Sequence, residues 1–379
     1  MPLPIALIAY RRSSSGIATY TIELAKALSQ VFEVIMPAFG LSPLTKKELE
    51  ERGVRVVDFG RDPFELGYLG GPLIEYRLLS EKTQKCLSRL GEIDCLLFTI
   101  PGLAVKFRSQ KLMVKGWGCH GLFHAITTRL RYLPCTLKIP GMVTTIEYWL
   151  MDNGVFTRAK KIICSTQASY EFHKAKFGAK ATYIPPPIEY SSVEKRPAER
   201  LRILFVSRDL SIPRKNLMTL LKALGMLSEG YLKKVKMTLV GRNPHRFRDW
   251  LHYLKMKGAE VDVIGYVDRE RMADIYSNSD VLIYPSYYEE LGYAVLEAMA
   301  HSLPVIASNI PSFSDMIIDG YNGFLMKPND HRRLARLLSM LIEDHKMCHD
   351  MGKRSLEVIK ERFDPKLVAQ KFKCLVNDI

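Results

Sequence analysis

The segment Tyr284-Pro-Ser-Tyr-Tyr-Glu289-Glu-Leu-Gly292-Tyr-Ala-Val-Leu-Glu297-Ala-Met-Ala300 joins an apolar run to a helical pattern through a polar loop. The apolar run Val281–Tyr284 reads as a buried strand, and Pro285, which has no N–H to give to a ladder, stops it. Beyond Gly292 the residues Ala294, Leu296, Ala298, Met299 and Ala300 suit a helix. A strand that ends in a polar loop and opens a helix leaves backbone N–H groups at the helix start, where an anion can dock. Glu289 lies just outside that start and Glu297 lies inside the helix. Two carboxylates in one motif bring a glycosidase to mind, but eight helical residues span roughly 12 Å. That exceeds the roughly 5–9.5 Å between the two catalytic carboxyls of a glycoside hydrolase. The two acids therefore read as separate hydroxyl-binding groups rather than an acid–base couple.

The same unit of strand, loop and helix recurs along the chain. In the first half, residues 5–10, 54–59, 95–100, 112–114 and 161–164 read as short apolar strands, with a helix over 16–29. In the second half, strands are expected at 201–206, 235–240, 261–264, 281–284 and 305–307, with a helix over 217–227. Strands alternating with helices predict parallel sheets covered on both faces. A length of 379 residues suits two such domains rather than one. Pro185-Pro186-Pro187 and the polar run to Arg200 interrupt the alternation and read as a stiff connector. The predicted organisation is a Rossmann-like domain over 1–185, a linker over 186–200, a second Rossmann-like domain over 201–362 and a terminal helix over 363–379. The fold class is α/β: two doubly wound parallel-sheet domains facing a central cleft, with ligands at the strand C-termini. The Gly- and Pro-rich segment 62–76 reads as an irregular insertion.

Composition narrows the setting. Hydrophobic residues make up 47%, enough for two cores, yet the longest apolar candidate, residues 95–105, is broken by Pro101-Gly102. A bilayer span needs ~20 such residues. Residues 2–10 are apolar, but Arg11 and Arg12 follow the apolar run, the reverse of a signal peptide, so a first core strand is expected there. The seven cysteines show no C-x-x-C or zinc spacing, and their odd number argues against a disulfide framework and for a reducing cytoplasm. The net charge of +15 is uneven, with 25 Lys/Arg against 15 Asp/Glu over residues 1–185 and 30 against 25 beyond. No acid occurs between Asp94 and Glu147, an interval holding Lys106, Arg108, Lys111, Lys115, Arg129, Arg131 and Lys138 among Phe107, Trp117, Phe123 and Tyr132. Such a mixture suits an anionic membrane surface, a phosphate-bearing acceptor or nucleic acid, and a solvated basic face is the plain alternative. No helix-turn-helix or RRM signature supports nucleic acid.

The opening stretch closely resembles the E-x7-E signature of the family-4 retaining glycosyltransferases, which have the GT-B fold. Downstream, Ser302-Leu-Pro304-Val-Ile-Ala-Ser308 is similar to the family's PVIAS strand, and Asp319-Gly-Tyr-Asn-Gly323-Phe-Leu-Met-Lys-Pro328 to its nGfLv.p turn. Ser207-Arg208 followed by Pro213-Arg-Lys215-Asn216 resembles the family's G-R-x-x-x-x-K-G segment. The likeness covers most of the chain and is specific over residues 200–330. Glu290 departs from the pattern by standing where Gly is usual, Ser207 and Asn216 replace glycines, and the spacing from Arg208 to Lys215 is two residues longer.

What the resemblance implies is a retaining, metal-independent transferase with no cofactor, moving a sugar from a UDP- or GDP-sugar to a glycan or lipid-linked acceptor. Glu289, with the Leu291 and Gly292 backbone, would meet the transferred sugar, and Glu297 the ribose. Arg208 and Lys215 would hold the diphosphate, while Gly241, Gly265, Tyr266 and Val267 would let the backbone approach the nucleobase. Ser15 and Gly16, opening the first helix, would face donor phosphate or acceptor. His120 would lie beside the reacting carbon, and the terminal helix would return to the first domain.

Fixed cations aimed at a departing pyrophosphate lower its barrier without a metal ion. The chain lacks a D-x-D motif, and His120 and His124 lie in H-G-L-F-H rather than H-E-x-x-H with no clear third ligand, so no metal site is expected. No dedicated general base stands out, so departure of the charged leaving group would carry the reaction. Two rivals remain: a GT-B epimerase acting on the nucleotide sugar, which needs carboxylates on the first domain, and an inactive sugar-nucleotide-binding protein. The expected location is the cytoplasm, with the basic interval drawing the first domain to the cytoplasmic membrane face.

Overall fold

The computed structural model describes residues 4–8, 16–38, 41–58, 80–81, 83–85, 87–89, 93, 95–99, 104, 107, 111–116, 154–191 and 199–379. The chain divides into two units, Met1–Pro187 with Phe363–Ile379, and Ile188–Arg362. Every strand pairing among the described residues is parallel.

The first unit holds β1 (Ile5–Ile8), β2 (Val34–Ala38), β3 (Val54–Asp58), β4 (Cys95–Phe98), β5 (Leu112–Gly116), β6 (Lys161–Cys164) and β7 (Ala181–Tyr183). Their order in the sheet is β3-β2-β1-β4-β5-β6-β7. Helices α1 (Gly16–Leu28), α2 (Pro43–Glu51) and α3 (Gln167–Phe177) accompany them. Strands β1 and β4 are buried at every position, as covered parallel strands require. Two strands of this unit escape the sequence reading, β2 and β7. Strand β2 accommodates Pro37 because the β1–β2 ladder ends at Ala6↔Ile35, so the missing N–H interrupts no bond to β1.

The second unit holds β8 (Leu201–Asp209), β9 (Val235–Arg242), β10 (Glu260–Ile264), β11 (Val281–Tyr284), β12 (Val305–Ser308) and β13 (Gly323–Met326), in the order β10-β9-β8-β11-β12-β13. Its helices are α4 (Leu217–Gly225), α5 (Arg248–Met256), α6 (Arg269–Ser277), α7 (Tyr293–Ala300), α8 (His331–Glu343) and α9 (His345–Arg362). One core joins Ile203, Phe205, Leu239 and Ile283 of the sheet to Leu220, Leu224, Leu334 and Leu338 of α4 and α8, all at most 1% exposed. Each such side chain contributes about 1.5–3 kcal/mol by leaving water. Residues 323–326, expected as part of a turn, instead form edge strand β13, where a Cβ on Gly323 would lie 2.3 Å from the Val305 carbonyl oxygen.

The last helix, α10 (Pro365–Asn377), packs on α1 and belongs to the first unit. Asp364 caps it by accepting from Lys366 N at 2.7 Å, and Pro365 occupies its first turn, where no N–H is needed. Pro185, Pro186 and Pro187 are buried, and the two units meet in the chain between Pro187 and Ile188.

Helix α9 is locked against the turn that follows α7. A Cβ on Gly352 would lie 2.1 Å from the Ser302 carbonyl oxygen. Gly352→Ala should therefore destabilise the protein by about 1–2 kcal/mol, because overpacking outweighs the ~1 kcal/mol gain in helix propensity. The check is the urea midpoint, and a midpoint raised by the substitution would contradict this close approach.

Candidate active site

Strand order in the second sheet reverses between β8 and β11, the position where open α/β sheets bind ligands beyond the strand C-termini. The two strands pair only at Ile203↔Val281 and Leu204↔Leu282, whereas β8 continues beside β9 to Asp209. At their N-terminal ends Arg202 holds Asp280, with Nη2 to Oδ1 at 2.6 Å and Nε at 3.1 and 3.0 Å from the two oxygens. Beyond the paired residues the two segments carry the candidate site residues.

After β8 the chain passes through a 3-10 turn, Pro213–Lys215, and enters α4 through Asn216. Asn216 is left-handed, with φ 58° and ψ 40°. Asparagine tolerates this conformation better than most residues, which explains how it replaces the glycine of the resembling motif. Its side chain also donates to Pro285 O at 3.0 Å and Asn329 Oδ1 at 3.3 Å, tying three loops together. The longer spacing after Arg208 is taken up by a local knot: Ser211 donates to Asp209 Oδ1 from N at 2.8 Å and from Oγ at 2.6 Å.

Glu289 lies on the loop after β11 and is 7% exposed. Its Oε1 accepts from Lys215 Nζ at 2.6 Å and from Arg214 Nη1 at 2.8 Å. Lys215 also donates to the Tyr284 hydroxyl and lies 4.6 Å from the centre of its ring. Arg214 Nη1 further donates to Tyr288 O at 3.0 Å, and its own carbonyl accepts from Tyr287 N at 2.8 Å. Burial pushes the Glu289 carboxyl up, but the Lys215 and Arg214 charges outweigh it and hold it below the ordinary 4.5. Burial likewise opposes the Lys215 ammonium, yet Glu289 and Tyr284 hold it above the usual lysine range. Both groups are charged, with one positive charge in excess once Arg214 is counted.

Gly292 starts α7 with φ 69°, and a Cβ there would lie 2.4 Å from Phe313 Cε1. Only glycine meets both demands. No side chain caps this helix start, and Val295 N donates to Gly292 O at 2.8 Å. Ser312 donates to Glu289 O from the turn beside Phe313. Glu297, half-buried on α7, accepts from the Tyr276 hydroxyl at 2.7 Å.

The other sequence candidates fall as follows. Arg208 is exposed at the end of β8, whereas Lys215 points inward to Glu289. Leu291 is buried next to Gly292. A Cβ on Gly265 would meet nothing within 4 Å, so open space lies beside its backbone. Tyr266 is exposed with the Arg242 guanidinium 4.9 Å over its ring, while Val267 is half-buried. Gly241 has a steric reason independent of any ligand, since a Cβ would lie 2.2 Å from Ser207 O. Gly16 is the first residue of α1. Ser15 and His120 lie outside the described residues, as do Lys106, Arg108, Arg129, Arg131 and Lys138 of the basic interval. Lys115 corrects that interval: it is 3% exposed, donates to Gly116 O at 3.3 Å and sits 5.1 Å over the Tyr20 ring. It ends a buried strand, so it is no surface cation. Sequence reasoning missed Arg214 and Tyr276; adjacency to Lys215 was the only signal for the first, and none marked the second.

Residues 188–358 match the family described as Glycosyl transferases group 1. The chain is 24% identical over 102 residues to the capsular polysaccharide biosynthesis glycosyltransferase CapM of Staphylococcus aureus, 27% of either chain. It is 26% identical over 144 residues, 38% of either chain, to N-acetyl-alpha-D-glucosaminyl L-malate synthase of Bacillus anthracis. It thus spans about a third of the length of these relatives. Over its whole length it is similar to the structure of Anabaena HepE in complex with UDP and glucose, with a TM-score of 0.70, 19% identity and 100% of both chains covered. That likeness is one of fold, and the fold is GT-B, two Rossmann-like units with parallel sheets. Among the described residues no helix is long and apolar enough to cross a membrane.

The electrostatics of Glu289 yield a stability test. A carboxyl whose folded pKa lies below its unfolded value stabilises fully above that unfolded value, and the contribution is lost as pH falls through the folded one. Glu289→Gln should lower stability at neutral pH by about 3 kcal/mol, the loss expected on breaking a buried ion pair. The gap to the parent protein should hold from pH 7 to 5 and narrow progressively below 4.5. Urea titrations across that range measure it; a gap absent at neutral pH, or constant into acid, would contradict an ionised Glu289.

Proposed function

Because residues 188–358 carry the domain of the glycosyl transferases group 1, we propose that this protein is a glycosyltransferase acting on a nucleotide diphosphate sugar. Its donor is a UDP- or GDP-sugar, its acceptor a glycan or lipid-linked molecule recognised by the first unit, and the configuration of the transferred sugar is retained. The observation that carries the reading is the cluster at the sheet's switch point, where Lys215 and Arg214 converge on Glu289 at 2.6 and 2.8 Å.

In this reading the excess positive charge of the cluster, with Arg208 at the end of β8, meets the diphosphate. As the glycosidic bond breaks, negative charge grows on the leaving pyrophosphate, and cations already in place stabilise it without reorganising. They do the work that a divalent ion does in metal-dependent transferases, so the reaction is metal-independent. Glu289 has two roles. It holds the Lys215 ammonium in a buried position, and its remaining lone pairs accept from sugar hydroxyls, since a carboxylate offers about four acceptor sites. Glu297 takes the ribose hydroxyls. The acid-free interval, less Lys115, supports an anionic acceptor or membrane surface and a cytoplasmic-face location.

Product analysis tests the reading against an epimerase and an inactive binder. Incubation with UDP- and GDP-sugars should give a transferred glycoside whose anomeric configuration, read by NMR, matches the donor. Lys215→Ala and Arg208→Ala should each lower kcat by roughly 10²–10³, and EDTA should leave the rate unchanged. An epimerised nucleotide sugar, an inverted product or dependence on added metal would overturn it.

A further inference from the structure

Tyr276 lies in the last turn of α6, is 1% exposed, and reaches helix α7. Its hydroxyl donates to Glu297 Oε2 at 2.7 Å. Burial and then the Glu297 charge push the phenol well above its ordinary 10, so it keeps the proton that it donates to Glu297. The ring is stacked on His301, centroids 5.4 Å apart and 29° between planes. His301 follows α7 directly, and its Nδ1, 2.8 Å from the Glu297 carbonyl oxygen, donates to it. Two stacked rings thus hold Glu297 at both its side chain and its main chain.

A half-buried glutamate would otherwise lose rotamer freedom on meeting a ligand, and prior immobilisation removes that cost. A charge-assisted hydrogen bond onto one carboxylate oxygen also fixes the plane in which the carboxylate accepts further O–H groups. A site built to bind hydroxyls in a fixed geometry rejects an analogue lacking one of them more strongly than an apolar site can. Resting on the reading of Glu297 as the ribose-binding group, we propose that Tyr276 is a positioning residue. It aims the Glu297 carboxylate at a ribose cis-diol and makes the site select ribonucleotides over 2′-deoxyribonucleotides.

The experiment is calorimetric titration of the full chain with UDP, GDP and their 2′-deoxy counterparts. It compares the parent with Tyr276→Phe, which keeps the ring stack and removes only the donor, and with Glu297→Gln. The parent should bind the ribonucleotide about tenfold tighter than its deoxy form, and Tyr276→Phe should lose about tenfold for the ribonucleotide and little for the deoxy form. Glu297→Gln should lose the same preference. In turnover, Tyr276→Phe should raise KM for the donor and leave kcat nearly unchanged. Equal loss for both nucleotides, or an unchanged preference, would mean that Tyr276 only supports the fold and overturn the proposal. A parent that binds without preference overturns the diol assignment and leaves donor binding standing. A parent that binds neither UDP nor GDP overturns the donor reading itself, and the proposal with it.

Discussion

Lys215 is an ammonium only 9% exposed, and Glu289, 74 residues further along the chain, is what makes that burial tolerable. A lone buried ammonium would shed its proton or pull its loop into water, because desolvation disfavours the charged form. With Glu289 at 2.6 Å the ammonium stays charged, and the loops after β8 and β11 are pinned to each other. Arg214 adds a second bond to the same carboxylate oxygen and leaves the cluster net positive. A buried ion pair of this kind is weak grounds for stability by itself. Its value here is geometric, since it holds cations in fixed positions beside an uncapped helix start.

That pair acts where the sheet itself is weakest. Strands β8 and β11 share only two paired positions, and the strand order reverses between them. Arg202–Asp280 closes one end of the short ladder and Lys215–Glu289 the other. Between these clamps the backbone stays packed. The opening that a doubly wound sheet creates at its switch point is therefore bounded by charge.

The departures from the family pattern have local causes. Asn216 takes the left-handed conformation that a glycine would take and adds bonds to Pro285 and Asn329. Ser207 donates to Asp209 O at 2.6 Å at the irregularity that ends β8, and Gly241 on β9 gives up its Cβ to the Ser207 carbonyl oxygen. Glu290 is exposed and does not have positive φ, so its backbone makes no demand for glycine. Gly292, two residues on, carries that demand instead.

The sequence alone specified the alternation of strands and helices, the strand stop at Pro285, the helix after Gly292 and a terminal helix over 363–379. Those signals are local: apolar runs of strand length, a residue without an N–H, a residue without a Cβ. It also marked Glu289, Glu297 and Lys215 through a motif. Strands β2 and β7 escaped because a proline and a three-residue length hide a strand from any local rule. Tertiary packing alone brings Arg214 to Glu289, Tyr276 to Glu297 and the buried Lys115 over the Tyr20 ring. Parallel sheets join their strands through long crossovers, so residues at neighbouring strand ends lie tens of positions apart in the chain. Which of them touch depends on sheet order and register, which local periodicity does not record.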